Sequence, residues 1–414
     1  MTPRRILFTT FGSLGDVYPY LAIGRELQQR GHRVTIATSG AHRNKVESTG
    51  IRFHAVRPDI EFEDREFLEK AFDQRRGTEL ILKAICGAVR DSYEDTLPAV
   101  RDADLLITHA LSYAAVIAAE RVQLPWISTM LSPINFLSAY DPPVLAQAPW
   151  LSRLKPLGPA LFRFFFQVGR SRSWQWAADV VALRRSLGLP KGPHPFFEGA
   201  MSPALVLALF SRELAQPQRD WPPNTLVTGF PFFSEGEALP DPVRNFLSAG
   251  PPPLVFTLGS AATGAAGTFY RESFDAVQSL GTRAIFLTGH YAQGLPQHIP
   301  VSMLTAPYAP HDQLFPRSEA IIHHGGVGTT AQAMRAGKPM LLVPFAHDQY
   351  DNAERIRRLG AGAVLPIKSY RSKQAAALLD HLCIGAAHAA KSVAERMQGE
   401  DGVGAAADAI ERFG

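Results

Sequence analysis

His324, Gly325, Gly326, Gly328, Thr329 and Thr330 fall within one short stretch, and Asp348 and Gln349 follow soon after. Glycines let backbone N–H groups approach an oxyanion with no Cβ in the way. A helix starting there adds unpaired N–H groups and a partial positive charge. The two hydroxyls can cap that helix or reach a phosphate oxygen. His324 adds a neutral donor, and Asp348 and Gln349 add the carboxylate and amide that hold sugar hydroxyls. Together these groups suit a diphosphate carrying a sugar. The glycine run alone fits an ordinary strand-to-helix turn equally well, and Asp348-Gln349 also fits a cap on a helix starting at Tyr350.

These residues need a sheet edge to meet on. Residues 320–324 form a short β-branched apolar run, 329–335 hold helix formers up to Gly337, and 339–344 return to an apolar run. That is a strand–loop–helix–strand unit of parallel βαβ size. Ligands of open parallel sheets bind beyond the carboxyl ends of strands, where both polar clusters lie. His323 and His324 are strand neighbours and point to opposite faces, so they do not chelate one metal together.

The same alternation runs through the whole chain. Strands are expected at 4–10, 33–38, 51–56, 104–108 and 125–131, then at 204–210, the last of the first domain. The second sheet is expected to use 254–258, 284–288, 302–306, 320–324 and 339–344. Helices are expected at 18–30, 269–280, 374–382, 384–397 and 404–413, with a charged helical run at 61–90. The length of 414 residues suits two cores. The expected domains are 1–215 and 224–398, joined by a proline-rich linker at 216–223, with a last segment, 399–414, packing back toward the first domain. Gly12-Ser13-Leu14-Gly15 lacks the third glycine of a dinucleotide fingerprint. Asp102-Ala103-Asp104 precedes a strand, the wrong edge for a metal–diphosphate.

Composition narrows the class. A hydrophobic fraction of 46% and a charged fraction of 19% describe a globular protein, and a net charge of +4 does not argue for nucleic acid. Cys86 and Cys383 make no CxxC, so neither a disulfide framework nor a zinc site is indicated. The apolar run after Arg5 is too short for a signal peptide, and no run approaches the roughly 20 residues of a membrane span. A cytoplasmic location is expected, including the inner face of the membrane. Residues 150–176 combine Phe162, Phe164, Phe165, Phe166, Trp174 and Trp176 with five basic and no acidic residues. They fit a core-facing helix with a solvated rim, a greasy acceptor pocket, or a surface touching anionic lipid.

The run HHGGVGTT…AGKP…VPFAHDQYDNA resembles the donor-binding signature of the inverting, nucleotide-sugar-dependent UDP-glycosyltransferase family. The segments GSLGDVYPY, SPINFLSAYDPPV, QRDWP…TGFPFF and PLVFTLGS resemble its bacterial rhamnolipid rhamnosyltransferase branch. The resemblance implies an α/β, GT-B fold of two facing Rossmann-like, doubly wound domains with parallel sheets. It implies a hexosyltransferase with no cofactor and no metal, using a dTDP- or UDP-linked sugar as co-substrate. It places the diphosphate on Ser260, His324, Gly326, Gly328 and Thr329, and the sugar on Asp348 and Gln349. The nucleoside falls to Tyr308 and Gln332, where the family often has Trp and Glu; His311 stands where the family has Gln. The catalytic base falls on Asp16, where many members have His. Asp16 also fits an N-cap for a helix beginning at Val17. His109, at another strand end of the same sheet, is a candidate helper. The expected reaction is rhamnosyl transfer from dTDP-rhamnose to a hydroxylated, hydrophobic, lipid-like acceptor. Glucosyl transfer from UDP-glucose to a hydrophobic natural product is the alternative. A sugar-nucleotide epimerase and a non-catalytic partner subunit are more remote.

Overall fold

The structure, a computed structural model, describes residues 2–59, 64–260, 262–289 and 294–413. The first three residues of the expected helical run at 61–90 lie outside them. The rest of that run breaks into helices Arg65–Ala71 and Gly77–Gly87, and its last residues begin helix Val89–Arg101.

Two parallel sheets carry the fold. The first comprises β1 (Arg5–Thr9), β2 (Arg33–Thr38), β3 (Arg52–Ala55), β4 (Leu105–His109), β5 (Trp126–Met130), β6 (Val206–Ala208) and β7 (Thr225–Val227), in the order β3-β2-β1-β4-β5-β6-β7. The second comprises β8 (Leu254–Thr257), β9 (Ala284–Leu287), β10 (Met303–Ala306), β11 (Ile321–His323), β12 (Met340–Leu342) and β13 (Gly362–Val364), in the order β10-β9-β8-β11-β12-β13. Strands such as β4 and β8 are buried along their whole length because helices cover both faces, which is why they read as continuous apolar runs.

Strand order reverses between β1 and β4 in the first sheet and between β8 and β11 in the second. A crevice opens at such a switch point because the flanking connections leave to opposite faces. Asp16 lies in the first turn of the helix after β1, and His109 is the last residue of β4. The loops after β8 and β11 carry Ser260 and the glycine run.

The expected boundary between domains needs correction. Residues 225–227 pair with β6 in register Val206↔Thr225, so the first sheet extends beyond the segment taken as linker. A three-residue edge strand with one exposed position is too short for a periodicity signal. Within the segment 216–223, Trp221 is buried, stacked on Phe136 at 3.9 Å between ring centroids and edge-on to Phe210 at 6.0 Å. The proline-rich stretch is therefore anchored to the first domain's core.

Helix Gly402–Arg412 packs against helix Leu14–Gln29 of the first domain. Arg30 reaches Asp408 at 2.6 Å and Glu411 at 2.7 Å, and Arg4 donates to the Phe413 carbonyl at 2.6 Å. The Asp102 and Asp104 carboxylates are engaged by Arg5 at 2.9 and 2.7 Å, at the amino edge of the sheet.

Trp221→Ala removes a buried aromatic that ties the connecting segment to Phe136 and Phe210. It should cost about 3–5 kcal/mol in chemical denaturation. A loss below about 1 kcal/mol would show that the connection is not anchored there.

Candidate active site

The candidate base position is built by a tight loop. Ser13 is the N-cap of helix Leu14–Gln29, and Asp16 is its third residue. The Ser13 amide donates to Asp16 Oδ2 at 2.8 Å and the Ser13 hydroxyl to the same oxygen at 3.2 Å. Asp16 is thus the inner member of a capping box and not the N-cap of a helix beginning at Val17. The helix starts earlier than its apolar spacing indicates because this side-chain-to-backbone bond satisfies an amide at its terminus. Gly12 has φ +131°, and a Cβ there would overlap the Asp16 carboxylate.

His109 ends β4 with its Nε2 3.8 Å from Asp16 Oδ1. The Leu111 amide donates to His109 Nδ1 at 3.3 Å. That assigns the ring proton to Nε2, facing the carboxylate. Burial lowers the His109 pKa to about 4, so the ring is neutral. Burial raises Asp16 to about 6, against the lowering effect of its bonds to Ser13. Two expectations change. Asp16 is a stronger base than an unperturbed carboxylate, and His109 is further from neutral titration than its type indicates. With its proton on Nε2, His109 faces Asp16 beyond hydrogen-bond distance and does not itself accept a proton there.

The second sheet supplies the candidate anion site. Gly326 is the N-cap of helix Val327–Ala336, and the first intrahelical bond runs from the Thr330 amide to the Gly326 carbonyl at 3.0 Å. The amides of Val327, Gly328 and Thr329 precede that bond and face the terminus. A Cβ at Gly328 would meet nothing within 4 Å, so the space beyond is open. The His324 ring is wedged between Gly259 and Gly326, since a Cβ on either would collide with it. Its Nδ1 is buried without a protein partner, and burial lowers its pKa to about 3. Ser260 stands exposed just after Gly259. His323 is packed inside, its Nδ1 taking the Gly325 amide at 3.1 Å.

Asp348 and Gln349 stand beside this loop, at the start of helix Gln349–Arg358. Asp348 occupies the N-cap position but makes no capping bond; Asn352 Nδ2 instead donates to its Oδ2 at 2.8 Å. Burial raises Asp348 to about 7, and the charge of Asp16 across the cleft adds to that rise. Gln349 has a structural role that its sequence position did not disclose. Its Oε1 accepts from the Phe345 amide at 2.8 Å and the Ala346 amide at 3.1 Å, closing the turn after β12. Its oxygen is committed to the turn, so its amide nitrogen is the group suited to a sugar hydroxyl.

Tyr308 follows β10 half-exposed, and burial raises its hydroxyl pKa to about 12. His311 stacks on Phe315 at 4.3 Å and is held neutral by burial. Gln332 Oε1 is buried without a protein partner, an acceptor suited to a ribose hydroxyl.

Comparisons with known proteins identify the family. Residues 6–140 match the Glycosyltransferase family 28 N-terminal domain, and residues 272–403 match the Erythromycin biosynthesis protein CIII-like C-terminal domain. Over 370 residues the chain is 32% identical to the O-mycaminosyltylonolide 6-deoxyallosyltransferase of Streptomyces fradiae, covering 87% of this chain and 85% of that one. The chain belongs to the UDP-glycosyltransferase family and is a GT-B glycosyltransferase. It is 27% identical to a sterol 3-beta-glucosyltransferase of Arabidopsis thaliana, covering 99% of this chain and 65% of that one. The fold is similar to that of a spinosyn rhamnosyltransferase complexed with thymidine diphosphate, with a TM-score of 0.70, 18% identity, and 99% of this chain and 100% of that chain covered. This glycosyltransferase takes its sugar from a nucleotide sugar.

Several residues of the glycosyltransferase's cleft are silent in sequence reasoning. Asp351, Asn352 and Arg355 are buried on the helix after Asp348. Val144 N donates to Asp351 Oδ1 at 3.0 Å, and Arg355 links Asp351 at 2.8 Å to Asp141 of the first domain at 2.6 Å. The spacing of 348, 351, 352 and 355 places all four on one helical face, a pattern that in the sequence alone is indistinguishable from a solvated polar face. Glu235 also joins the domains, accepting from Tyr18 Oη at 3.0 Å and from Lys45 Nζ at 2.7 Å.

Asp16→Asn should lower kcat by about 10²- to 10⁴-fold while sparing nucleoside diphosphate affinity. Because the folded pKa of Asp16 lies above its ordinary 3.8, its stabilising contribution is complete below about pH 4 and lost as pH rises through about 6. Asp16→Asn should therefore melt no lower than wild type at pH 7. An enzyme keeping most of its kcat would move the base elsewhere. The acid limb of kcat/KM should lie between pH 6 and 7, set by the interacting Asp16 and Asp348. A limb near pH 4 would refute the buried-carboxylate account.

Thr329→Ala should weaken binding of the bare diphosphate, whereas Asp348→Ala should spare that affinity and lower kcat/KM for the intact sugar nucleotide. Equal weakening of the diphosphate by both, measured calorimetrically, would make Asp348 structural.

Proposed function

We propose that this glycosyltransferase is inverting and metal-independent and moves rhamnose from dTDP-rhamnose to a hydroxyl of a hydrophobic, lipid-like acceptor. The observation that carries the reading is the placement of Asp16, with His109 3.8 Å away, opposite the neutral anion loop and Asp348. Asp16 removes the acceptor proton as the acceptor oxygen bonds to the anomeric carbon. The bond from that carbon to the diphosphate oxygen breaks on the opposite side, so the configuration inverts. The leaving diphosphate takes the electron pair and is met by the Gly328 and Thr329 amides, the Thr329 and Ser260 hydroxyls and His324. Tyr308 and Gln332 hold the nucleoside, and Asp348 with the Gln349 amide nitrogen orients the sugar.

Support for a deoxysugar donor comes from the Streptomyces 6-deoxyallosyltransferase and from the structure complexed with thymidine diphosphate. The sterol glucosyltransferase similarity favours a second reading, UDP-glucose transfer to a hydrophobic natural product or sterol. Both readings share an apolar acceptor. Beyond β1 the first domain has a recess lined by Phe11, Val56, Ile85, Val89, Leu111 and Tyr113, which at about 40 Å³ would have to widen to seat one.

We also propose a peripheral contact with an anionic bilayer through residues 150–176. This stretch is not one helix: a 3₁₀ segment, Pro149–Leu157, breaks at Gly158 before helix Pro159–Ser173. Trp150, Leu157 and Phe164 are 57, 67 and 61% exposed, beside exposed Arg153, Arg163 and Arg172. Phe162 is buried and Lys155 turns toward Asp141. Among the described residues no helix is long and apolar enough to cross a membrane.

Mass spectrometry of products from dTDP-rhamnose and UDP-glucose with hydroxylated lipids, sterols and macrolides tests the donor and acceptor. Rhamnosyl products are expected, and exclusive use of UDP-glucose would select the second reading. Activity should survive EDTA; full loss restored by Mg²⁺ or Mn²⁺ would overturn the neutral-donor account. Sedimentation with phosphatidylglycerol vesicles, but not with phosphatidylcholine vesicles, should carry the protein down, and Arg153→Glu with Phe164→Ser should abolish this. Equal recovery with both vesicles would remove the electrostatic contact.

A further inference from the structure

Asn352 sits where three parts of the site converge. Its Nδ2 donates to Asp348 Oδ2 at 2.8 Å and to the Gly325 carbonyl at 3.0 Å. Its Oδ1 accepts from the hydroxyl of Ser132 at 3.1 Å, a residue of the first domain just beyond β5. The orientation of the amide is unambiguous. Turned over, its oxygen would face a carboxylate and a carbonyl, both acceptors, and its nitrogen would face the hydroxyl. Asn352 is fully buried and Ser132 is nearly so, which leaves neither group a solvent substitute.

The loop it holds is gripped from the first domain on its other side too. His347 has φ +56°, an uncommon conformation for a residue with a Cβ. Its Nδ1 lies 3.3 Å from Thr78 Oγ1, and its ring meets the edge of Phe72 at 5.4 Å between centroids. Asp351 takes the Val144 amide of the same domain.

We infer that Asn352 is a positioning residue that reports domain closure to the sugar site: Ser132 of the acceptor domain holds the amide that in turn holds the Asp348 carboxylate and the Gly325 carbonyl of the anion loop. This rests on the sugar-binding role proposed for Asp348. The diphosphate groups Ser260, His324, Gly328 and Thr329 lie on the second domain alone, so bare diphosphate needs no contact with Ser132. A sugar awaiting attack by an acceptor held on the first domain does need it.

The test compares wild type, Ser132→Ala, Asn352→Ala and the double variant in the full chain. Kinetics use whichever of dTDP-rhamnose and UDP-glucose the wild type turns over, and affinity is read calorimetrically with the matching bare diphosphate. Ser132→Ala should lower kcat/KM about tenfold and leave diphosphate affinity within about twofold. Asn352→Ala should lower kcat/KM about 100-fold. The double variant should be no worse than Asn352→Ala, because the Ser132 hydroxyl acts only through that amide. The acid limb should also move up in Asn352→Ala, since the lost bond favours ionised Asp348; the charged neighbours Asp16 and Asp351 remain and act in the same direction. Multiplicative losses, or Ser132→Ala weakening diphosphate as much as kcat/KM, would overturn the inference. If Asn352→Ala does not fold, Ser132→Ala decides alone. Wild-type kcat/KM in Ser132→Ala overturns this inference only. A wild type that transfers no sugar from either donor overturns the proposed function and this inference with it.

Discussion

Two carboxylates, Asp16 of the first domain and Asp348 of the second, face one cleft, with the Asp16 side chain still one-third exposed. Burial raises both pKa values, and the charge of Asp16 raises Asp348 further. Each is held by neutral donors in place of a cation. Ser13 donates to Asp16 and His109 faces it, while Asn352 donates to Asp348. The surrounding histidines follow the same rule, since His109, His324 and His347 are all held neutral by burial. A neutral, preorganised anion loop beside carboxylates tuned toward neutral pH suits a reaction that moves one proton and releases a diphosphate.

The helix Gln349–Arg358 turns this local chemistry into a relation between domains. Its first turn lies beside the glycine loop, and its next residues reach the first domain through Asp351, Asn352 and Arg355. Arg355 is 4% exposed and bridges Asp351, itself fully buried, to Asp141. A buried charge costs several kcal/mol unless it is paired and hydrogen-bonded. The network therefore favours a closed arrangement in which all partners are present, and so ties the donor loop to the acceptor domain.

Much of this was legible along the chain. The alternation of apolar runs and helical spacing located the two parallel sheets, and the glycine runs at 12–15 and 325–328 located their loops. Switch-point chemistry then followed from topology, because ligands of parallel sheets gather at strand ends. Other features were not legible, for specific reasons. β7 is too short to show a period. The helix bearing Asp16 begins at a reciprocal bond that apolar spacing does not register. Gln349 is polar for the sake of a turn whose backbone amides only the folded chain brings to it.

The sequence by itself determined the α/β alternation, the glycine loop and the types of residue gathered near the strand ends, because periodicity, glycine and helix capping act over a few residues. Only the tertiary structure decided what those groups are worth. The shifted pKa values of Asp16 and Asp348, the neutrality of His109 and the buried polar face of Asp351, Asn352 and Arg355 all depend on the exclusion of water by the folded chain. Electrostatic strength is set by that exclusion and by the groups across the cleft, and residues so distant in the chain leave no local pattern from which to read it.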